Sequence, residues 1–199
     1  MIRKTTLVAT TLLCSVFFGQ TAHAEMPEVE EPQRPLLFLL GGGLTFGGDD
    51  WLDVEYVDGH SDDLTAGGLL DLKVGFRYQQ EDSPLVFQST IGYHFDSVEA
   101  TNGDADFTRY PLDILAFYAN GKHLFGGGIT HHMNPKLDID MSALGFDGSA
   151  KLDDETGFVL EYNYKVNERF SAAVRYVDIS YVDSEVDGSH GGIYAYLHF

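Results

Sequence analysis

The stretch Leu70-Asp71-Leu72-Lys73-Val74-Gly75-Phe76-Arg77-Tyr78 alternates without a break. Successive side chains of an extended chain point to opposite faces, so Leu70, Leu72, Val74, Phe76 and Tyr78 share one side. Asp71, Lys73, Gly75 and Arg77 share the other. An amphipathic helix would repeat its apolar positions every three or four residues, and this segment does not. It is a strand. A soluble sandwich would bury the apolar face and wet the charged one; a membrane barrel would give the apolar face to lipid and enclose the charged one.

The rest of the chain repeats the pattern often enough to choose. Leu85, Phe87, Ile91, Tyr93 and Phe95 alternate against Gln88, Thr90, Gly92 and His94. Tyr110, Leu112, Ile114, Ala116 and Tyr118 alternate against Arg109, Asp113 and the apolar pair Leu115 and Phe117. Phe158, Leu160, Tyr162 and Tyr164 oppose Glu161, Asn163 and Lys165, and Phe170, Ala172, Val174 and Tyr176 oppose Ser171, Ala173 and Arg175. Leu36–Phe46, Lys122–Met133 and Ile193–Phe199 complete eight strands. Aromatic residues gather toward the ends of the apolar faces, as membrane-interface girdles do.

Connections alternate in length. Asn120-Gly121 reads as a two-residue type I′ hairpin, pairing Tyr118 with His123, Ala116 with Phe125 and Leu112 with Ile129. Asn167–Arg169 is a second tight turn, which sets Val166 opposite Phe170 and Glu161 opposite Arg175; Glu81–Pro84 is a third. Between them, Gly47–Ala66, Ser97–Asp106, Asn134–Asp154 and Asp183–Gly191 read as long polar loops. Short periplasmic turns and long extracellular loops are the habit of bacterial barrels, and an even strand number puts both ends of the barrel on the periplasmic side.

The first residues address the compartment. Arg3 and Lys4 precede an apolar run from Thr5 to Gly19, and Ala22-His23-Ala24 supplies small residues for cleavage after Ala24. The run is too short to span a bilayer as a helix. Residues 1–24 therefore read as a signal peptide, 25–34 as an acidic periplasmic tail with Pro27 and Pro32, and 35–199 as the barrel. Cleavage removes Cys14, the single cysteine, and with it thiol and disulfide chemistry. It also removes two cations and no carboxylate, taking the net charge from −19 to −21. Such a charge excludes nucleic acid, which requires a basic footprint.

At the C-terminus Ile193, Ala195, Leu197 and Phe199 share one face and Tyr194, Tyr196 and His198 the other. A last strand ending in Phe after alternating apolar residues resembles outer-membrane β-barrel proteins, in particular the small OmpA, OmpX and OmpW class. The resemblance is architectural and covers residues 35–199. It implies an all-β, eight-stranded antiparallel up-and-down transmembrane barrel in a Gram-negative outer membrane. It further implies that the barrel-assembly machinery recognises Ile193, Ala195, Leu197 and Phe199. The expected surroundings are outer-membrane lipid and lipopolysaccharide.

Chemistry, if present, belongs to the enclosed face. Asp71, Lys73, Arg77, Gln88, Arg109, Asp113, Glu161, Lys165 and Arg175 should point into an interior just wide enough for side chains. Buried charges are costly unless paired, and these have mixed signs, so a salt-bridged plug is expected, with Glu161 and Arg175 as a cross-strand pair. Leu37, Leu39, Leu115 and Phe117 offer an apolar interior patch that a narrow channel would use. His131-His132 point to opposite faces and do not chelate one ion as a pair. Ser189-His190 invites a lipid-modifying hydrolase, but neighbours in an extended chain diverge and no nucleophile-elbow pattern is present. The acidic residues of the loops (Asp49, Asp50, Asp53, Glu55, Asp58, Asp62 and Asp63, then Asp138, Asp140, Asp147, Asp153 and Asp154) lack calcium-loop spacing. The sequence calls for no cofactor, metal or catalytic set. It leaves a structural or surface-interaction barrel first, a narrow channel second and a lipid-modifying enzyme third.

Overall fold

The computed structural model describes residues 35–55, 61–100, 103–141, 146–181 and 186–199. The expected signal peptide and acidic tail lie outside the described residues, as do Asp58 and His60. In chain order the strands are β1 (Leu36–Phe46), β2 (Asp50–Glu55), β3 (Ser61–Thr65), β4 (Leu69–Gln79), β5 (Leu85–Ala100), β6 (Gly103–Asn120) and β7 (His123–Met141). They continue as β8 (Phe146–Lys151), β9 (Glu155–Lys165), β10 (Phe170–Asp178), β11 (Ser180–Tyr181), β12 (Val186–Asp187) and β13 (His190–His198).

Eight of them close a ring in the order β1, β4, β5, β6, β7, β9, β10, β13 and back to β1, every neighbour antiparallel. Phe38 and Phe199 seal the ends by donating to each other's carbonyls at 3.2 and 3.0 Å. A closed ring has no unpaired edge, which is what lets strands sit in hydrocarbon. The barrel expected from alternation is the one observed.

Adjacent residues show how sharply the faces differ. Ile114 is 56% exposed and Asp113 fully buried. Leu72, Val74, Phe76, Ile91, Leu160, Val174 and Ile193 stand on the outside with Ile114. Aromatic rings crowd both ends of this belt: Tyr93 lies 5.6 Å from Phe95 and 5.4 Å from Tyr110 at one end. Phe38 with Phe76 (5.8 Å) and Phe125 with Tyr162 (5.0 Å) occupy the end nearer the termini.

Two sequence expectations need correction. The β6–β7 turn is not Asn120-Gly121. Asn120 pairs with His123, so the two central residues are Gly121 and Lys122. Only Gly121 of the pair has positive φ (59°), which fits glycine in the first position of a type II′ turn rather than a type I′ one. Tyr118 thus faces Phe125 and Ile114 faces Ile129. The slip is two residues, so every side chain keeps its face.

The expected long loops are largely strands. β5 and β6 run on to Ala100 and Gly103, β7 to Met141 with β8 beside it, and β2 and β3 form a separate hairpin. On this extension the facing rule reverses. Ala105, Phe107 and Leu137 are buried inside, while Asp104, Asp106 and Asp140 are exposed outside. The reversal on β7 has a local cause. His132 and Pro135 both point inward, because the register shifts opposite Arg109 and Asn134 takes a positive φ of 51°. This is a β-bulge, one extra residue that changes the parity of the strand beyond it. Proline suits it, having no ladder donor to lose.

Candidate functional site

The barrel interior concentrates the chain's buried charge. Asp113, from β6, stands at its centre. Its Oδ2 accepts from Lys73 Nζ at 2.9 Å and from Thr90 Oγ1 at 2.9 Å, and Arg175 Nη2 lies 2.7 Å from Oδ1. Lys73 also sits 3.0 Å from Asp71, which accepts from the Tyr194 hydroxyl at 2.8 Å. Glu161 lies directly across from Arg175 in the ladder, with Oε2 3.6 Å from Arg175 Nη1 and accepting from Tyr196 Oη at 3.2 Å. Arg175 therefore contacts Asp113 more closely than its cross-strand neighbour.

The remaining inward candidates fall outside that cluster. Arg77 donates to Gln88 at 2.6 and 3.0 Å and stacks between Phe117 and Tyr196, its Cζ 5.9 Å from each ring. Lys165 is half-buried and approaches Gln79 at 3.5 Å. Leu39 is packed with Ala173, Tyr194 and Tyr196; Leu115 and Phe117 are packed with Val86, Leu124 and Val159. Leu37 is half-buried. Tyr194 and Tyr196 stand directly opposite Gly43 and Gly41 of the neighbouring strand β1, where a Cβ would collide with their rings. Those two glycines give the tyrosines their place.

A second group sits toward the end away from the termini. Arg109 Nη2 lies 2.9 Å from His94 Nδ1 and 3.3 Å from its Nε2, and the guanidinium lies 5.0 Å from the Phe107 ring centre. His94 Nε2 is 2.7 Å from the Gly68 carbonyl and 2.8 Å from Thr45 Oγ1. The His190 ring stands 5.0 Å from His94 and 6.3 Å from His132. His132 Nδ1 contacts the Tyr181 hydroxyl at 2.8 Å, and His190 Nδ1 donates to Gly188 O at 2.8 Å. Above this group Ala66, Ala105, Phe107, Leu137, Leu152 and Tyr181 form an apolar cap. Sequence spacing gave no sign that these three histidines meet, because they come from β5, β7 and β13.

Serine–histidine geometry is informative by position. Ser189 Oγ donates to Ile179 O at 3.3 Å and to Asp178 at 3.4 Å, while His190 turns to Gly188, so these neighbours do not form a dyad. Ser171 Oγ and His198 Nε2 do meet, at 2.9 Å, both buried within the barrel. Among the described residues His198 Nδ1 has no hydrogen-bond partner and so no third group to orient a base. His131, on the outer face, contacts Thr156 at 2.9 Å.

On the extension Asp104, Asp106, Asp138, Asp140 and Asp147 line an open cleft of about 460 Å³ with Ser149. Partial burial, with Asp104 and Asp138 close by, raises the Asp106 carboxyl above its ordinary range. Asp138 is lowered, chiefly by its hydrogen bond from Lys136, 2.7 Å away. Among the described residues no group of three or more His, Cys, Asp or Glu is arranged to hold a metal ion.

No protein-family model and no curated protein sequence matches the chain. Solved structures do. Ail, the attachment invasion locus protein of Yersinia pestis, crystallised with the heparin analogue sucrose octasulfate, superposes with a TM-score of 0.55 at 12% sequence identity. The match covers 82% of this chain and 97% of Ail. A second crystal structure of Ail gives 0.51 at 13% identity, with the same coverage. Neisserial surface protein A gives 0.50 at 12% identity, over 84% of this chain and 98% of that one. At such identity the likeness is one of fold: the chain is a closed eight-stranded barrel of the kind these small outer-membrane proteins share.

Proposed function

We propose that the chain loses residues 1–24, inserts into the outer membrane of a Gram-negative cell, and serves there as a closed barrel with a structural or surface-interaction role. The single observation that carries this reading is the buried linkage Asp71–Lys73–Asp113–Arg175–Glu161, with Tyr194 and Tyr196 hydrogen-bonded to its ends. It crosses the lumen among packed apolar clusters, where a conducting path would need continuous water. The outward apolar belt supports the membrane, since water would not tolerate so many exposed Leu, Ile and Phe side chains on one band. The exposed run Ile193, Ala195, Leu197 and Phe199 then supplies the strand for the assembly machinery.

On this reading the acidic extension is the outward surface. Ail was solved with a sulfated ligand. A chain of net charge −21 after that cleavage repels polyanions, so lipopolysaccharide phosphates reach its carboxylates through divalent cations. Among the described residues the interior brings no Ser–His–acid set together.

The test is fractionation followed by planar-bilayer recording of the purified barrel at neutral pH. The expected results are outer-membrane recovery of a protein beginning at Glu25 and no steady ion conductance. A soluble periplasmic product sinks the localisation, and a steady open current moves the narrow channel to first place.

A further inference from the structure

The histidine group is built against a buried guanidinium. Arg109 Nη2 lies 2.9 Å from Nδ1 and 3.3 Å from Nε2 of the His94 ring, whose Nε2 is also 2.7 Å from Gly68 O, so a proton added to this ring sets cation against cation at contact. Gly188 O only accepts, so His190 carries its proton on Nδ1. Each histidine ties one piece of the mouth to the chamber. His94 holds Gly68 and Thr45, His132 holds Tyr181 of β11, and His190 holds Gly188 beside β12.

The surrounding charge is already balanced. Arg109 (β6), Lys73 (β4) and Arg175 (β10) act on the rings from the cationic side. Asp71 (β4) lies directly across from His94, Asp96 is buried two residues farther along β5, and Asp113 (β6) lies below. At the rim, half-buried Glu155 of β9 acts on Tyr181. Asp71 and Asp113 are already engaged by Lys73, Tyr194 and Arg175. Protons added to the three imidazoles thus bring net positive charge into a buried space beside a guanidinium.

We propose that Arg109, His94, His132 and His190 form an acid-released latch that holds the mouth segments around β11 and β12 over the closed lumen. Protonation of the His94 ring sets two cations against each other at contact distance. Further protons on His132 and His190 add to the repulsion, and the segments carrying Tyr181 and Gly188 detach. The inference rests on the closed-barrel reading, because only a sealed interior keeps the rings from solvent.

The experiment is hydrogen exchange of residues 179–181 and 186–190 in the full mature barrel in lipid nanodiscs. It compares about pH 7.5 with about pH 4.5, the acid arm lying about two units below the ordinary histidine pKa, with labelling times scaled for intrinsic rates. The wild type should lose protection there on the order of tenfold at the acid pH, while amides of β4 and β10 stay protected. His94→Asn keeps an acceptor for Arg109 but takes no proton, and should lose most of the acid response. His190→Gln, which keeps a donor for Gly188, should weaken it and replaces His94→Asn if that variant fails to show the heat-modifiable mobility of a folded barrel. Equal protection at both pH values, or an undiminished response in the folded variants, overturns the latch. Neutral-pH conductance reports separately on the closed barrel: a current there fails that reading, whereas a silent barrel without acid response fails only the latch.

Discussion

Below the bulge at Asn134 the barrel wears Leu, Ile and Phe outside and hides Asp, Lys and Arg among smaller apolar clusters; above it the same sheet wears Asp outside and hides chiefly Ala, Phe and Leu. Strands β5, β6 and β7 pass through both zones without a break. The backbone is therefore indifferent, and the solvent decides which face is apolar. In the lower zone lipid takes the hydrophobic side, and the enclosed charges must answer one another. In the upper zone the sheet behaves as a soluble one, with its core inside. The interior of the lower zone combines ion pairs with the apolar clusters around them, while that of the upper zone is held chiefly by apolar contact.

The largest way to break this contrast is at Asp113. Asp113→Ala leaves Lys73 and Arg175 facing each other without their shared carboxylate, and removing one partner of a buried pair costs about 3–5 kcal/mol. Water admitted to the lumen makes the lower figure the better expectation. Urea unfolding in lipid vesicles should show a loss that Lys73→Met in the same chain partly restores. An Asp113→Ala barrel as stable as wild type would mean that the charges are not coupled.

A smaller effect separates the two outer faces. Ile114→Arg should cost roughly 2–4 kcal/mol if that residue lies near the bilayer midplane. Thr108→Arg, six residues along the same strand and on the same face but above Tyr110, should stay within about 0.5 kcal/mol. Equal costs, read from the same unfolding curves, would erase the boundary between the zones.

Alternation alone gave the eight strands, and β1 even to its ends, because the lower zone pairs period 2 with bulky apolar residues. It failed at the extension, where Ala105, Leu137 and Ile139 are sparse among carboxylates and read as loop. It failed again at Gly121, since the Asn-Gly template assumes glycine in the second central position. Within the site, parity assigns Asp113, Lys73 and Arg175 to one interior. It does not say that they meet, because β4, β6 and β10 are not neighbours in the ring. Which inward side chains share a level depends on the stagger of the strands, a property of the closed barrel rather than of any segment. The histidine group was hidden for the same reason.

The smallest effect sharpens the upper zone. Asp106 lies across from Asp138 and Ser97, with Asp104 two residues away on the same face. Its carboxyl is raised in the fold, so the folded chain binds that proton more tightly than the unfolded one. The charged form then costs stability above the ordinary carboxylate range, and the cost fades as pH falls. Asp106→Asn should gain a few tenths of a kcal/mol at about pH 7, the scale of like charges facing across strands, and nothing at about pH 3. A loss at neutral pH would show that the carboxylates are held by something attractive.

The extra residue at Asn134 and Pro135 also sets how this chain can change length. Adding or deleting two residues in a strand, with two in its partner, moves a hairpin tip nearer or farther and leaves every face in place. A single insertion above the bulge on β7 would turn Leu137 and Ile139 outward and Lys136 and Asp138 inward, unless a second irregularity absorbed it. Height above the rim is therefore quantised in pairs. The bulge is the one step where an odd residue is already accommodated, with Asn134 N–H donating to Asp154 at 2.7 Å and Leu152 N–H to Pro135 O at 2.9 Å. Variation in surface reach should accumulate at the hairpin tips in even steps, while this single residue can neither be lost nor duplicated without exchanging inside for outside.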